Sequence, residues 1–359
     1  MLWPSIFCSL ALVIAAGAVV INDLSGLTVW TKKVDGGLEN HVYFQSLDTI
    51  LEVIYLPKQQ EWKLGNLQIT GAKKDTPLAS VYWLDKSLKG KNKDQVSGLV
   101  NGSLCIFEVH DANQDFNLQV RVYYIDLFDQ LVEKAFIDGQ WQTEKQLGFV
   151  NEACDGIAVI RTIRNPSLRL YVQGNSSYDN AIQEFTYIDR WVNTKDLGKG
   201  LVGTSIAATN WAEGNGEAIR VFYQWDIRPY DVVEMAFINK GWALGNFRRA
   251  AAQKVQLVAA IWLLFSGFPI GFPILFATND QLFNKLTLYR YGANTGGVCR
   301  DLWCGPQLLG NGVEEFERGI AVTVDASRLY YRPPGGALGE MLFDGTQYVI
   351  SQTDILSGL

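Results

Sequence analysis

Histidine is almost missing from this chain: His41 and His110 are the only two in 359 residues. That leaves no material for a His-based catalytic triad or a multi-histidine zinc site, and most hydrolase templates fall with it. A basic surplus is missing too. There are 31 Lys and Arg against 37 Asp and Glu, a net charge of −6, and no block of five or six like charges. Nothing supplies the general field that holds phosphate backbones, so nucleic acid is excluded as a partner. Charged residues make up only 19%, against 48% hydrophobic and 12% aromatic, which excludes a disordered chain. The five cysteines (Cys8, Cys105, Cys154, Cys299, Cys304) show no zinc-like spacing, and an odd number closes no disulfide framework. They read as small buried hydrophobes. No Asp- and Glu-rich loop of a calcium site occurs, so neither a metal nor a cofactor is expected.

Two uncharged apolar runs need a reading. Ile6 to Ile21 ends near Ala16-Gly17-Ala18, a signal-cleavage pattern, although no Lys or Arg precedes it. Residues 1–22 therefore read as a signal peptide or an apolar N-terminal segment; the protein is secreted if they act as a signal and cytoplasmic otherwise. Asn101-Gly102-Ser103 and Asn175-Ser176-Ser177 are N-glycosylation acceptor patterns compatible with the first route. The second run, Val255 to Ala277, is long enough to span a bilayer, but Gly267, Pro269, Gly271 and Pro273 break its second half. It reads as a buried insertion leading into a strand, with no membrane insertion.

What the chain does contain is a repeat. Asn40 to Gln45, Val120 to Tyr124, Leu168 to Gln173, Ile219 to Gln224 and Ser327 to Tyr331 share an alternating strand with Arg at its second place (Arg121, Arg169, Arg220, Arg328) or His41 instead, and Leu286 to Tyr289 is a degenerate sixth copy. A turn and an apolar strand with a glutamate follow: Glu52, Glu133, Glu184, Glu234 and Glu340, with Arg300 in the fifth unit. An aromatic comes three residues later (Tyr55, Phe136, Tyr187, Phe237, Trp303, Phe343), and another opens the next strand (Trp62, Trp141, Trp191, Trp242, Tyr348), with Leu308 failing in that column. A short Ala- and β-branched run precedes each Arg strand, as in Gly156 to Ile160. Six units of four short strands, with Gly, Asn or Asp turns and no helical periodicity, predict an all-β, six-bladed β-propeller. It occupies residues 23–359 as one domain, with insertions near 84–116 and 255–267.

Both faces of a propeller sheet are covered, so a charge on an inner strand is costly unless it reaches a rim or a partner. Arg and Glu fall roughly 12 to 15 residues apart, on adjacent strands of one blade. One reading is an ion pair that staples the blade. The aromatics at fixed register favour a sugar site, since hydroxyls need charged donors and acceptors and a pyranose face packs on a ring.

The repeated set, seen in Ile219 to Gln224, then Val232-Val233-Glu234, Gly241-Trp242 and Gly245, resembles the fungal fucose-binding lectins over about Leu24 to Tyr348. The resemblance implies a non-catalytic lectin for fucosylated glycans or glycoproteins, multivalent and compatible with a homodimer. It puts the sugar between blades, with Arg and Glu from one blade and two aromatics from the next. On that pattern Arg121 and Glu133 meet Tyr187 and Trp191; Arg169 and Glu184 meet Phe237 and Trp242; and ring closure brings Arg328 and Glu340 to Tyr55 and Trp62. Two sites are expected to be impaired. One has His41 and Glu52 facing Phe136 and Trp141; the other has Arg220 and Glu234 facing Trp303, with Leu308 in the second aromatic place. Thr287 and Arg300 leave the fifth pocket dead. Two other classes stay open: a degenerate propeller kept as a protein-interaction scaffold, and a glycoside hydrolase. The hydrolase would need two carboxylates about one scissile bond, whereas each unit offers one Glu beside an Arg. The Ser-x-Asp-x-Gly-x-x-Trp turn of propeller sialidases is absent from the sequence.

Overall fold

The structure, a computed structural model, describes residues 26–85, 117–150, 156–162, 167–174, 179–213, 216–238, 240–251, 257–262, 272–277, 287–291, 299–300, 303–308, 319–323, 327–333, 337–343 and 348–359. The expected signal segment, most of the 84–116 insertion and both glycosylation patterns lie outside them. Among the described residues the strands form six antiparallel sheets, each running in chain order from an inner to an outer strand, apart from small edge irregularities in the second and fifth. The inner strands Leu27–Val34, Ala79–Asp85, Ile157–Arg161, Ala207–Glu213, Leu257–Trp262 and Ile320–Val322 neighbour one another in a closed ring, with the last against the first. This is the expected six-bladed propeller. Ala79, Ala158, Ala208, Ala259 and Ala321 are all buried on these strands, because small side chains are what the crowded axis admits. Among the described residues the helical content is one 3-10 turn, Leu356–Gly358, and no helix is long and apolar enough to cross a membrane.

Strand alternation gives every blade two unlike faces. In blade one, Thr28, Trp30, His41 and Tyr43 point toward blade two, where Thr28 Oγ1 lies 2.8 Å from Ser80 Oγ. Leu27, Val29, Val42 and Phe44 point the other way and pack with Ala321 and Tyr330 of blade six. We call these the leading and trailing faces. Crossings between blades are fastened by a glutamine at the end of the second strand. Gln45 donates to Lys73 O (2.8 Å) and accepts from Thr76 N (3.1 Å). Gln173 donates to Leu201 O (3.0 Å) and accepts from Gly203 N (3.0 Å).

Blade five corrects the reading of Val255 to Ala277. Leu257–Trp262 is the inner strand of that blade and Phe272–Ala277 its second strand, so the part of 255–267 that forms Leu257–Trp262 belongs to the blade and is not additional to it. Thr287–Tyr291 is then the third strand, one place further out than its likeness to the Arg strands suggests, and Trp303–Leu308 is the outer strand. The physical reason is burial on both sides: a strand covered on two faces needs no polar alternation, so two of them read as one apolar run.

Candidate functional site

The second and third strands of a blade carry its charges to the leading face. Arg169 pairs in register with Thr186, and Tyr171 with Glu184. Arg169 Nη1 donates to Glu184 Oε2 at 2.8 Å, and the Tyr171 hydroxyl donates to the same oxygen at 3.1 Å. Arg328 Nη1 donates likewise to Glu340 Oε1 at 2.6 Å; in two other blades the charges pair by proximity, Arg220 Nε 2.5 Å from Glu234 Oε1 and Arg121 Nε 3.6 Å from Glu133 Oε1, where the Tyr123 hydroxyl donates to Glu133 Oε2 at 2.8 Å. Burial and the adjacent glutamates push the phenols of Tyr123, Tyr171 and Tyr330 well above the usual tyrosine range, so they remain protonated.

Each glutamate sits at a break in register between the third and outer strands, as at Val233/Met235 and Leu51/Val53. The bulge turns the outer-strand amides onto the carboxylate: Phe247 N donates to Glu234 Oε2 at 2.9 Å, and Asn66 N to Glu52 Oε2 at 3.1 Å. A Cβ at Gly65 or Gly245 would overlap the Glu52 or Glu234 carboxyl, so the Trp-x-x-Gly spacing at Trp62 and Trp242 reserves space for the charge.

The aromatics sit on the trailing faces, as cross-strand pairs: Tyr55 with Trp62, Phe136 with Trp141, Tyr187 with Trp191 and Phe237 with Trp242. They meet the charges of the preceding blade. Arg169 Cζ lies 4.7 Å from the Phe237 centroid, and Trp242 packs edge-on to Tyr171 at 6.1 Å. Arg328 Cζ lies 4.3 Å from the Tyr55 ring, and Trp62 meets Tyr330 at 5.7 Å. Trp191 meets Tyr123 at 6.0 Å. The three residue sets expected to be complete are therefore brought together, one of them across the seam that closes the ring. Arg169 Nε and Trp191 Nε1 are buried and make no hydrogen bond among the described residues.

The other seams differ. His41 stacks on Trp30 at 3.8 Å and puts Nδ1 2.9 Å from Glu52 Oε1 and Nε2 2.8 Å from Glu39 Oε1. With a carboxylate oxygen at hydrogen-bond distance from each nitrogen, the ring has no nitrogen left for a ligand, although Trp141 faces Tyr43 at 6.5 Å as the pattern requires. Burial works against the Glu39 charge, but hydrogen bonds from His41 and Lys32 outweigh it and hold its carboxyl down at about 2.

In blade five, Val258 and Leu288 pack toward blade six while Leu257 and Ala259 pack toward blade four, which fixes the faces. Ile274 and Leu288 then stand at the register positions of Arg and Glu, not Thr287 and Arg300. Tyr291 pairs with Trp303 as Phe237 pairs with Trp242. Leu308 pairs with Thr287 at the far end of the outer strand, so it is not the second aromatic facing Arg220 and Glu234. That place belongs to Trp303, and the first belongs to Tyr291, which the repeat spacing missed. The signal was present in the run Leu288-Tyr289-Arg290-Tyr291, where an aromatic follows the Glu position by three. Within its own blade the Arg220 guanidinium stacks over Trp211 at 4.8 Å, and Arg220 is 3% exposed.

Solved structures with this architecture include the six-bladed fucose-recognising lectin of Aleuria aurantia (20% identity, TM-score 0.68, covering 93% of this chain and 96% of that one) and AofleA from Arthrobotrys oligospora (19%, 0.63, 94% and 88%). SapL1 lectin, solved with α-methyl fucoside, is similar at 20% identity and TM-score 0.65, covering 93% and 97%. No curated protein sequence matches the chain. Over residues 156–294, which span blades three and four and reach into blade five, the chain matches the family model of the fungal fucose-specific lectins, the family its repeats resemble.

Proposed function

We propose that the protein is a non-catalytic lectin that binds fucosylated glycans in pockets between blades. The observation that carries this reading is the meeting of a guanidinium–carboxylate pair on one blade with an aromatic pair on the next, as at Arg169, Glu184, Phe237 and Trp242. The pair offers planar charged donors and acceptors to ring hydroxyls, and the aromatics accept the apolar face of the sugar. Arg121, Glu133, Tyr187 and Trp191 form a second such pocket, and Arg328, Glu340, Tyr55 and Trp62 a third. By strand register Tyr291 and Trp303 hold on blade five the places that Phe237 and Trp242 hold on blade four, so with Arg220 and Glu234 they make a fourth candidate set. The seam at His41 and Glu52 is self-satisfied, and the seam after Ile274 and Leu288 has neither charge.

The interaction-scaffold reading has its own support. The Arg–Glu pairs are already made, and Trp62, Trp191 and Trp242 also pack blade against blade. Retention on immobilised fucose, released by free fucose, is the outcome expected of a lectin. A folded chain that binds no fucosylated glycan on an array would leave the scaffold.

A further inference from the structure

The trailing face of blade four bears a residue that the repeat does not call for. Glu217, Ile219, Phe237 and Trp242 lie on that face by strand register, together with Asn210, which is paired with Ile219. The Asn210 side-chain amide donates both to a Glu217 carboxylate oxygen and, at 3.0 Å, to Arg161 O of blade three, so it fixes Glu217 at the seam. Counted in the sequence three residues before the Arg or His of each second strand, the same place is Leu38, Leu118 and Pro166 in the first three units and Asp325 in the last, which follows the seam that lacks the Arg and Glu pair. Among the complete pockets described above, the one between blades three and four alone carries an acid there. The Glu217 charge acts on both Arg169 and Tyr171. Burial opposes the Arg169 cation, but Tyr171, Glu184 and Glu217 outweigh it and hold the guanidinium above its ordinary range.

We propose that Glu217 is a specificity-determining residue of this pocket: it favours a fucoside whose neighbouring sugar presents hydroxyl or ammonium donors, and it disfavours one whose neighbouring sugar carries a sulfate or carboxylate. The inference rests on the lectin reading above. The chemistry is simple. Glu184 is engaged by Arg169, so a second carboxylate at the rim leaves the seam rich in acceptors, and an anion brought close to it is repelled through a partly aqueous medium.

The test uses the full chain with three paired replacements that silence the other sets: Arg121→Gln with Glu133→Gln, Arg220→Gln with Glu234→Gln, and Arg328→Gln with Glu340→Gln. Each pair is removed together so that no carboxylate is left buried alone. Calorimetry compares a neutral fucosylated trisaccharide with its counterpart bearing one sulfate on the sugar next to fucose. The neutral ligand should bind about three- to tenfold more tightly at low salt, with the gap shrinking as salt rises. Glu217→Gln keeps the shape and the Asn210 contact, and should bring the two ligands to near equality. A ratio that Glu217→Gln does not move overturns the proposal while leaving the lectin reading standing. If this six-fold variant does not fold, soaked crystals of the unaltered chain decide instead: sulfated ligand filling this pocket as fully as the other complete pockets overturns the proposal, and selective exclusion from it supports it. If the unaltered chain binds no fucoside at all, the lectin reading fails and the inference falls with it.

Discussion

Trp191 shows why single residues here have two duties. Its ring stands half-buried against Tyr187 at 5.5 Å and against Tyr123 of the preceding blade at 6.0 Å. Trp191→Ala is therefore expected to lower fucose affinity at that pocket by on the order of 1–3 kcal/mol, roughly ten- to a hundredfold, and to lower stability as well. Site-resolved soaking together with thermal melts separates the two; unchanged occupancy at this pocket would remove it from the set of sugar sites. At the His41 seam the outcome is set by protonation. The Glu39 carboxyl is held near 2 in the folded chain against 4.5 as its ordinary value, so its contribution is fully present above about 4.5 and is lost as pH falls through 2. Glu52 is displaced in the same direction, with burial opposing and His41 outweighing it. Unfolding free energy should thus decline between pH 4.5 and 2, and Glu39→Gln should flatten that decline; equal slopes for the two chains would refute the assignment.

At the scale of elements, the bulge at each glutamate deserves its own test because it joins fold and site. Gly245 lies against the Glu234 carboxyl, whose oxygen takes the Phe247 amide. Gly245→Ala should cost about 1–3 kcal/mol, as overpacking does in a close-packed interior, and should displace Glu234 from Arg220. Denaturant melts and the occupancy of the blade four to blade five pocket would report it; a neutral substitution would mean the outer strand can lift freely. The repeat spacing made these elements legible wherever the second strand kept an Arg or His and the third a Glu. It misplaced blade five because Phe272–Ala277 kept neither, and Thr287–Tyr291 imitates a second strand by pattern alone. Alternation is blind to a strand's place in a sheet; only its hydrogen-bonded neighbours define that.

For the whole molecule, the ring closes without exchanging a strand between its ends. Blade one is built entirely from Leu27 to Thr70 and blade six from Ile320 to Gln352. Closure rests on the Arg328–Tyr55 and Trp62–Tyr330 contacts and on the C-terminal segment, where Ile355 and Leu356 are buried with Leu27, Val29 and Tyr330 and Ile355 N donates to Leu338 O at 2.7 Å. Removing residues 355–359 should lower the melting temperature by several degrees and weaken fucose binding first at the seam between blades six and one. Melts and site occupancies check this, and equal loss at every pocket would argue for global unfolding. Chelator treatment should leave glycan binding unchanged, since Arg supplies the charged hydrogen bonds directly; loss of binding would show that an ion is needed. Local periodicity carried the blade number, the alternation that makes each strand, and the Arg or His, Glu and aromatic positions of every blade but the fifth. The identity of each strand in blade five, the engagement of His41 by Glu39 and Glu52, and the placing of Glu217 across the seam from Arg169 came from the folded chain. Those depend on which face of one blade meets which face of the next, a relation between residues far apart in the chain that no local pattern encodes.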